Sequence, residues 1–376
     1  MKTLGIYIHI PFCISKCAYC DFYSLADCNR TEEYIEALKT QIKSFKKRAA
    51  GYTVDTIYFG GGTPSCIQPE YISDLLSTVR KTFKVHPKAE ITLEANPGTL
   101  DSNKLSIYRS AGVNRLSIGL QSANNAELKM LSRIHTWEEF ESTFVLARFE
   151  GFDNINVDIM YALPQQSRTH LAETVNAVMN LSPDHISFYG LKIEQNTPFG
   201  NNPEIAKRLP DEESQYKMYM ESAKRFEDGG YMQYEISNFA KKGKKCRHNI
   251  KYWRCENYLG FGVAAASLFE GELFSYAKNI DAFIDDPKSP ALVESTQKLS
   301  EKDLATQYIM LGMRLTSGVD RTEYFRRFGR DLDADYYKKL KPFIEKRLAE
   351  KTVGGYRLTR RGMLVSNYIL SDILEF

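Results

Sequence analysis

The chain has 376 residues, enough for one large domain with one or two smaller ones and for a core that needs no disulfide staples. Hydrophobic residues at 43% and charged residues at 26% are ordinary for a soluble globular protein. A net charge of +3 gives no general attraction to nucleic acid, and no nucleic-acid partner is expected. Seven cysteines, three of them within eight residues, do not make the framework of a secreted disulfide protein. The opening MKTLGIYIHIPFC lacks the apolar core and small-residue cleavage site of a signal peptide. No run approaches the roughly 20 apolar residues of a membrane span. A reducing cytoplasm is the expected compartment.

Apolar, β-rich runs at Leu4–Ile10, Val54–Phe59, Glu90–Glu94, Arg115–Leu120, Asn156–Met160 and His185–Tyr189 read as strands. Helical patterns fill the intervals at Glu32–Lys47, Pro69–Phe83, Ser102–Ala111, Asn125–Leu131, Trp137–Phe149 and His170–Asn180. This alternation implies βαβ units and a parallel sheet, either doubly wound or curled into a barrel. The strands run into HIPFC, FGGGTP, LEANPGT, IGLQS, VDIMYALP and FYGLKIE. Glycines, prolines and single polar residues thus gather at the carboxyl ends, the rim where parallel β/α folds bind ligands. Beyond residue 195 the alternation weakens: a helix is expected over Asp211–Phe226, then a polar, aromatic-rich stretch to residue 280. From Asp281, helical patterns at Glu301–Met313, Thr322–Phe328 and Ala334–Leu348 precede a hairpin and a last helix, a winged-helix-like arrangement. Three stretches are therefore expected: 1–195, a linking α/β extension over 196–280, and 281–376.

Cys13, Cys17 and Cys20 form C-x3-C-x2-C directly after the first expected strand. A structural zinc site would need a fourth ligand, for which Cys28 or His9 is available. Covalent haem attachment is excluded because Asp21 follows Cys20. A redox pair would leave Cys13 unexplained. Thiolate-only spacing favours an iron–sulfur cluster over zinc, and a cubane on three thiolates leaves one iron open.

This motif, placed after strand one and with Tyr19 before its last cysteine, resembles the signature of the radical S-adenosylmethionine family. The resemblance implies an α/β fold, a partial (β/α)6 barrel, with a [4Fe–4S] cluster on Cys13, Cys17 and Cys20. Its open iron would chelate the amino and carboxylate groups of S-adenosylmethionine, and reduction would yield a 5′-deoxyadenosyl radical. The GGGT stretch, Gly60 to Thr63, is neither a P-loop nor a dinucleotide fingerprint, but its bare backbone admits a ligand closely. Glu94, Gln121, Asp158 and Arg133 add two carboxylates, an amide and a guanidinium to the same rim, a set suited to a zwitterion and ribose hydroxyls. By resemblance, Tyr7, Tyr19, Gly61, Gly62, Thr63, Glu94, Gln121, Arg133 and Asp158 surround the bound cofactor.

YIHIPFC, YFGGGTPS, RLSIGLQS and VDIMYALP are similar to the branch that contains oxygen-independent coproporphyrinogen III dehydrogenase. That enzyme usually carries a further cysteine where this chain has Phe22, and a substantial extension where 12 residues precede Cys13. Both departures favour the HemW family. YEISNFAKKGKKCRHNIKYW resembles that family's stretch ending in H-N-x-x-Y-W, here His248, Asn249, Tyr252 and Trp253, and LTRRGMLVSNYIL resembles its closing segment. One departure is Ala266 in VAAAS, where the family commonly has a histidine before the serine. The resemblance implies a haem chaperone that passes haem to apo-haemoproteins such as respiratory-chain enzymes. His248 is the candidate haem ligand, and Lys241, Lys242, Lys244, Lys245, Arg247, Lys251 and Arg254 are candidate partners for the propionates. Peripheral membrane contact through this basic run, and a homodimer, are both compatible with the sequence. Two competing readings stand beside it: decarboxylation of coproporphyrinogen III by the dehydrogenase, and a non-catalytic zinc-stabilised interaction protein.

Overall fold

The computed structural model describes residues 2–374. Five strand–helix units and a sixth strand come first: β1 (Lys2–Ile10), α1 (Thr31–Ser44), β2 (Tyr52–Gly61), α2 (Pro69–Thr82), β3 (Lys84–Ala95), α3 (Ser102–Ala111), β4 (Arg115–Gln121), α4 (Asn125–Met130), α5 (Trp137–Phe149), β5 (Ile155–Tyr161), α6 (Arg168–Leu181) and β6 (His185–Gly190). The strands are nearly continuous apolar runs because both faces are covered; every residue of β4 is buried. Local chemistry starts the helices where the sequence breaks them. Asp101 accepts from the Lys104 N–H to cap α3, Thr136 and Glu139 form a capping box on α5, and Ser167 caps α6.

After β6 come α7 (Pro203–Lys207), α8 (Glu212–Asp228), β7 (Met232–Gln233), β8 (Asn238–Ala240), α9 (Arg247–Trp253), β9 (Tyr258–Phe261), β10 (Ala266–Phe269), β11 (Glu272–Tyr276), α10 (Ile280–Asp285) and β12 (Val293–Lys298). One sheet runs β12-β11-β10-β9-β1-β2-β3-β4-β5-β6-β8-β7. Strands β9 and β1 to β6 are mutually parallel, and the additions beyond β9 and β6 are antiparallel. The two edges do not pair, so this is a partial barrel, the fold class expected. Residues 232–298 thus supply both edges of the sheet.

Strand β3 begins earlier than its apolar run because Lys84 and Val85 pair with Thr53 and Val54 before a bulge; this exposed start has no alternation to mark it. The remaining chain forms α11 (Glu301–Gly312), β13 (Val319–Asp320), α12 (Arg321–Phe328), α13 (Leu332–Glu345), β14 (Ala349–Lys351), β15 (Gly355–Leu358), α14 (Arg360–Leu364) and α15 (Ser366–Leu374). These helices and a three-stranded sheet, β13-β15-β14, enclose a core of their own around Tyr324, Leu340, Tyr356 and Ile369.

Candidate functional site

The parallel strands all end on one rim, and the loop after β1 folds over it. Two hydrogen bonds clamp that loop: Leu25 N–H donates to the Pro11 carbonyl at 2.7 Å and Cys13 N–H to the Leu25 carbonyl at 2.9 Å. Cys13 is buried, while Cys17 and Cys20 are partly exposed, and all three are free thiols. Burial raises the pKa of the Cys13 and Cys20 thiols. The glycine stretch lies directly under this loop. Gly62 leaves no room for a side chain, since a Cβ there would sit 2.6 Å from the Phe12 carbonyl oxygen and 2.9 Å from Cys13 Sγ. At Gly61, φ is +115° and a Cβ would strike the His9 ring at 2.6 Å. Thr63 Oγ1 stands 3.5 Å from Cys13 Sγ.

These loops open onto a cavity of about 600 Å³ lined by the three cysteines and by Tyr19, Gly61, Gly62, Thr63, Glu94, Gln121, Arg133 and Asp158. Tyr7 is one layer below: its hydroxyl is 3.1 Å from His9 Nδ1 and its ring stacks on Tyr58. Tyr58 donates to Glu94 Oε1 at 2.7 Å and the Gly61 N–H to Oε2 at 3.3 Å. Burial nevertheless pushes the Glu94 carboxyl up to about 7, with Asp158 adding to the effect. Burial also raises Asp158, against a hydrogen bond from Asn156 Nδ2 at 2.8 Å.

Arg133 Nη2 donates to Asn96 Oδ1 at 2.6 Å and to the Gly119 carbonyl at 2.5 Å, while Nη1 stands 3.6 Å from Cys17 Sγ. Gln121 is only 4% exposed and has φ of 78°, a left-handed backbone uncommon for a non-glycine residue. Its Oε1 accepts from the Tyr189 hydroxyl at 2.8 Å. A register shift between Gly119 and Gln121 turns this amide into the cavity.

Sequence reasoning missed Asn96, Tyr58 and Tyr189. Asn96 had a readable signal, because it lies two residues after Glu94 on a strand end and so shares its face. Its Nδ2 donates to Thr63 Oγ1 at 2.8 Å, joining the glycine loop to Arg133. Tyr58 and Tyr189 read as core residues in sequence. Phe22 is 69% exposed at the cavity mouth.

The donor set fits an iron–sulfur cluster better than zinc. His9 is occupied, Nε2 at 3.0 Å from the Tyr23 carbonyl and Nδ1 against Tyr7, and burial lowers its pKa to about 4. Cys28 lies beside Cys66, with 3.9 Å between the sulfurs. Among the described residues, no three His, Cys, Asp or Glu side chains are gathered as around one metal ion. A cubane instead gives each thiolate its own iron, so three cysteines spread along one cavity wall suit it.

His248 lies away from this cavity. It is 1% exposed in α9, its Nδ1 2.8 Å from Thr56 Oγ1 and its Nε2 2.8 Å from the Tyr252 hydroxyl, with its ring stacked on Tyr58. Burial, then Lys251 and Arg115, push its pKa down to about 3. To ligate iron it would have to leave one of these partners. The basic run around it covers the amino ends of the strands, opposite the cavity. Lys251 pairs with Asp55 at 2.9 Å and Glu256 at 3.1 Å, Arg247 approaches Asp55 at 3.6 Å, and Lys244 approaches Asp184 at 3.9 Å. Those cations face protein carboxylates.

Residues 7–178 match the radical SAM superfamily and residues 299–365 the HemN C-terminal domain. Over 372 residues the chain is 33% identical to the heme chaperone HemW of Bacillus subtilis, covering 98% of both chains. It is also 33% identical over 385 residues to the heme chaperone HemW of Escherichia coli, covering 100% of this chain and 99% of that one. A solved structure of the Escherichia coli coproporphyrinogen III oxidase HemN, described as a radical SAM enzyme, superposes with a TM-score of 0.86 at 23% identity, covering 99% of this chain and 90% of that one. That likeness is one of fold. With end-to-end identity of this order to curated relatives, the chain belongs to the HemW family of heme chaperones within the radical SAM superfamily.

Proposed function

We propose that this chain binds haem and delivers it to apo-haemoproteins in the cytoplasm, with a [4Fe–4S] cluster and S-adenosylmethionine held at the rim. The observation that carries the haem reading is the end-to-end similarity to proteins named heme chaperones. Membership of the superfamily implies the cluster and S-adenosylmethionine. When bound, they supply one-electron reduction and homolytic carbon–sulfur chemistry. Cys13, Cys17 and Cys20 would hold the cluster. The Gly61–Gly62 backbone and Thr63 would receive the amino end of the cofactor, and Arg133 its carboxylate. Glu94, Gln121 and Asp158 would bind its remaining polar groups, with Tyr19 closing over them.

The three expected stretches divide the work in this reading. Residues 1–195 carry the rim, 196–280 together with α10 and β12 brace the barrel from its edges, and the rest of 281–376 docks against recipients. Phe22 favours the chaperone over the dehydrogenase, since it presents an apolar ring at the cavity mouth where that enzyme usually has a cysteine.

The test is an anaerobic titration of the cluster-reconstituted chain with haem, beside an assay with coproporphyrinogen III, S-adenosylmethionine and a reductant. A saturable Soret shift, transfer of that haem to an apo-haemoprotein and no protoporphyrinogen are expected. Protoporphyrinogen formation would assign the dehydrogenase reaction instead.

A further inference from the structure

Two cysteines outside the cluster motif meet at the far end of the same loop. Cys28 Sγ and Cys66 Sγ are 3.9 Å apart although 38 residues separate them in sequence. Cys28 is exposed and Cys66 is half-buried. Hydrogen bonds fix both backbones. The Cys28 carbonyl accepts from Thr31 Oγ1 at 2.7 Å, and the Cys66 N–H donates to the Thr63 carbonyl at 2.9 Å.

Lys104 supplies a cation beside the pair, its Nζ donating to the Ser65 carbonyl at 2.8 Å and the Ile67 carbonyl at 3.2 Å, on either side of Cys66. Burial and the neighbouring Cys28 push the Cys66 thiol up, and the ammonium opposes them, easing the loss of the proton that disulfide exchange requires. The turn Thr63–Cys66 therefore touches the cysteine loop twice, through Thr63 at Cys13 and through Cys66 at Cys28.

We propose that Cys28 and Cys66 form a reversible redox site, a dithiol that low-molecular-weight disulfides oxidise to an intramolecular disulfide. The thiolate of exposed Cys28 attacks one sulfur of the incoming disulfide, forming a mixed disulfide and releasing the other half as a thiol. Cys66 then gives up its proton and attacks Cys28 Sγ, releasing the second half as a thiol. The protein loses two hydrogens, and one small disulfide becomes two thiols. Closure brings the sulfurs from 3.9 Å to about 2.05 Å. In a reducing compartment such a bond is transient, as expected of a sensor rather than a staple.

The test treats the anaerobically reconstituted full chain with oxidised glutathione, blocks remaining thiols, and maps peptides by mass spectrometry. A cross-linked pair of peptides carrying Cys28 and Cys66 is expected, lighter by two hydrogens. It should be lost with dithiothreitol and absent from Cys28→Ser and Cys66→Ser chains. A glutathione adduct on Cys28 that never resolves, or a cross-link from Cys28 to Cys13, Cys17 or Cys20, would overturn the proposal.

Discussion

Replacing Glu94 by glutamine removes the charge that the rim finds hardest to hold. The side chain is half-buried, and burial pushes its carboxyl from the ordinary 4.5 to about 7 even with Tyr58 and Gly61 donating to it. Below pH 4.5 the group is protonated in both folded and unfolded chains and contributes nothing. Between pH 4.5 and about 7 the unfolded chain has released its proton while the folded one retains it, so stability falls as pH rises. Above pH 7 both are ionised and the full penalty applies. At about 1.4 kcal/mol per pH unit that penalty reaches at most about 3 kcal/mol, and solvent access at the cavity wall reduces it to about 1–3 kcal/mol.

Glu94→Gln should therefore unfold at higher denaturant than the parent at pH 8 and match it near pH 4.5. The difference should develop between those values. Glu235 is also pushed up to about 7 by burial, so the parent curve keeps a second slope that the variant shares. In the proposed site the ionised Glu94 carboxylate would accept hydrogen bonds from the cofactor's remaining polar groups, with both oxygens free to do so only once its proton is lost. Parental affinity for S-adenosylmethionine should be about tenfold weaker at pH 6 than at pH 8, a dependence Glu94→Gln should lose along with much of the affinity. A difference curve that stays flat from pH 5 to 8, or a pH-independent parental affinity, would refute this reasoning.

Gly62→Ala should displace the loop bearing Cys13 and sharply lower the iron and sulfide retained after reconstitution, with far-ultraviolet circular dichroism unchanged. His248→Ala removes a packed ring and leaves Thr56 and Tyr252 without their partner, so urea denaturation should show a loss of about 2–4 kcal/mol. The haem titration of the folded variant should stay within twofold of the parent; complete loss of the Soret shift would return His248 to the role of ligand. Lys251→Met strips the 3% exposed ammonium from Asp55 and Glu256, and a loss of about 3 kcal/mol in stability at pH 7 is expected by the same measurement. Tyr34→Phe deletes the hydroxyl that donates to the His9 carbonyl at 2.9 Å and accepts from the Val263 N–H at 3.2 Å. It should cost about 1–2 kcal/mol by uncoupling the end of β1 from the turn after β9.

Much of the barrel was legible because its signals are local. Continuous apolar runs, amphipathic intervals and polar strand ends each occupy a few residues, and β1 to β6 with their helices appear where those patterns lie. The rim residues were legible for the same reason: Gly61, Glu94, Gln121 and Asp158 stand at or near the ends of successive parallel strands, and parallel strands all end on one face.

What stayed hidden depends on contacts between distant residues. Periodicity gives no warning that β9 lies beside β1, pairing Tyr258 with Gly5, because a four-residue strand carries too little pattern to announce its neighbour. Nor does it reveal that Asp55, Glu256 and Asp184 face Lys251 and Lys244, or that Thr56 and Tyr252 take both nitrogens of His248. The meeting of Cys28 with Cys66 is of the same kind. The sequence by itself determined the repeating strand–helix order and the three-thiolate motif, which short-range sterics and spacing encode. Only the tertiary structure decided which charges are already neutralised, which rings are sealed in the barrel and which thiols meet, because those outcomes depend on desolvation and on neighbours that chain position does not specify.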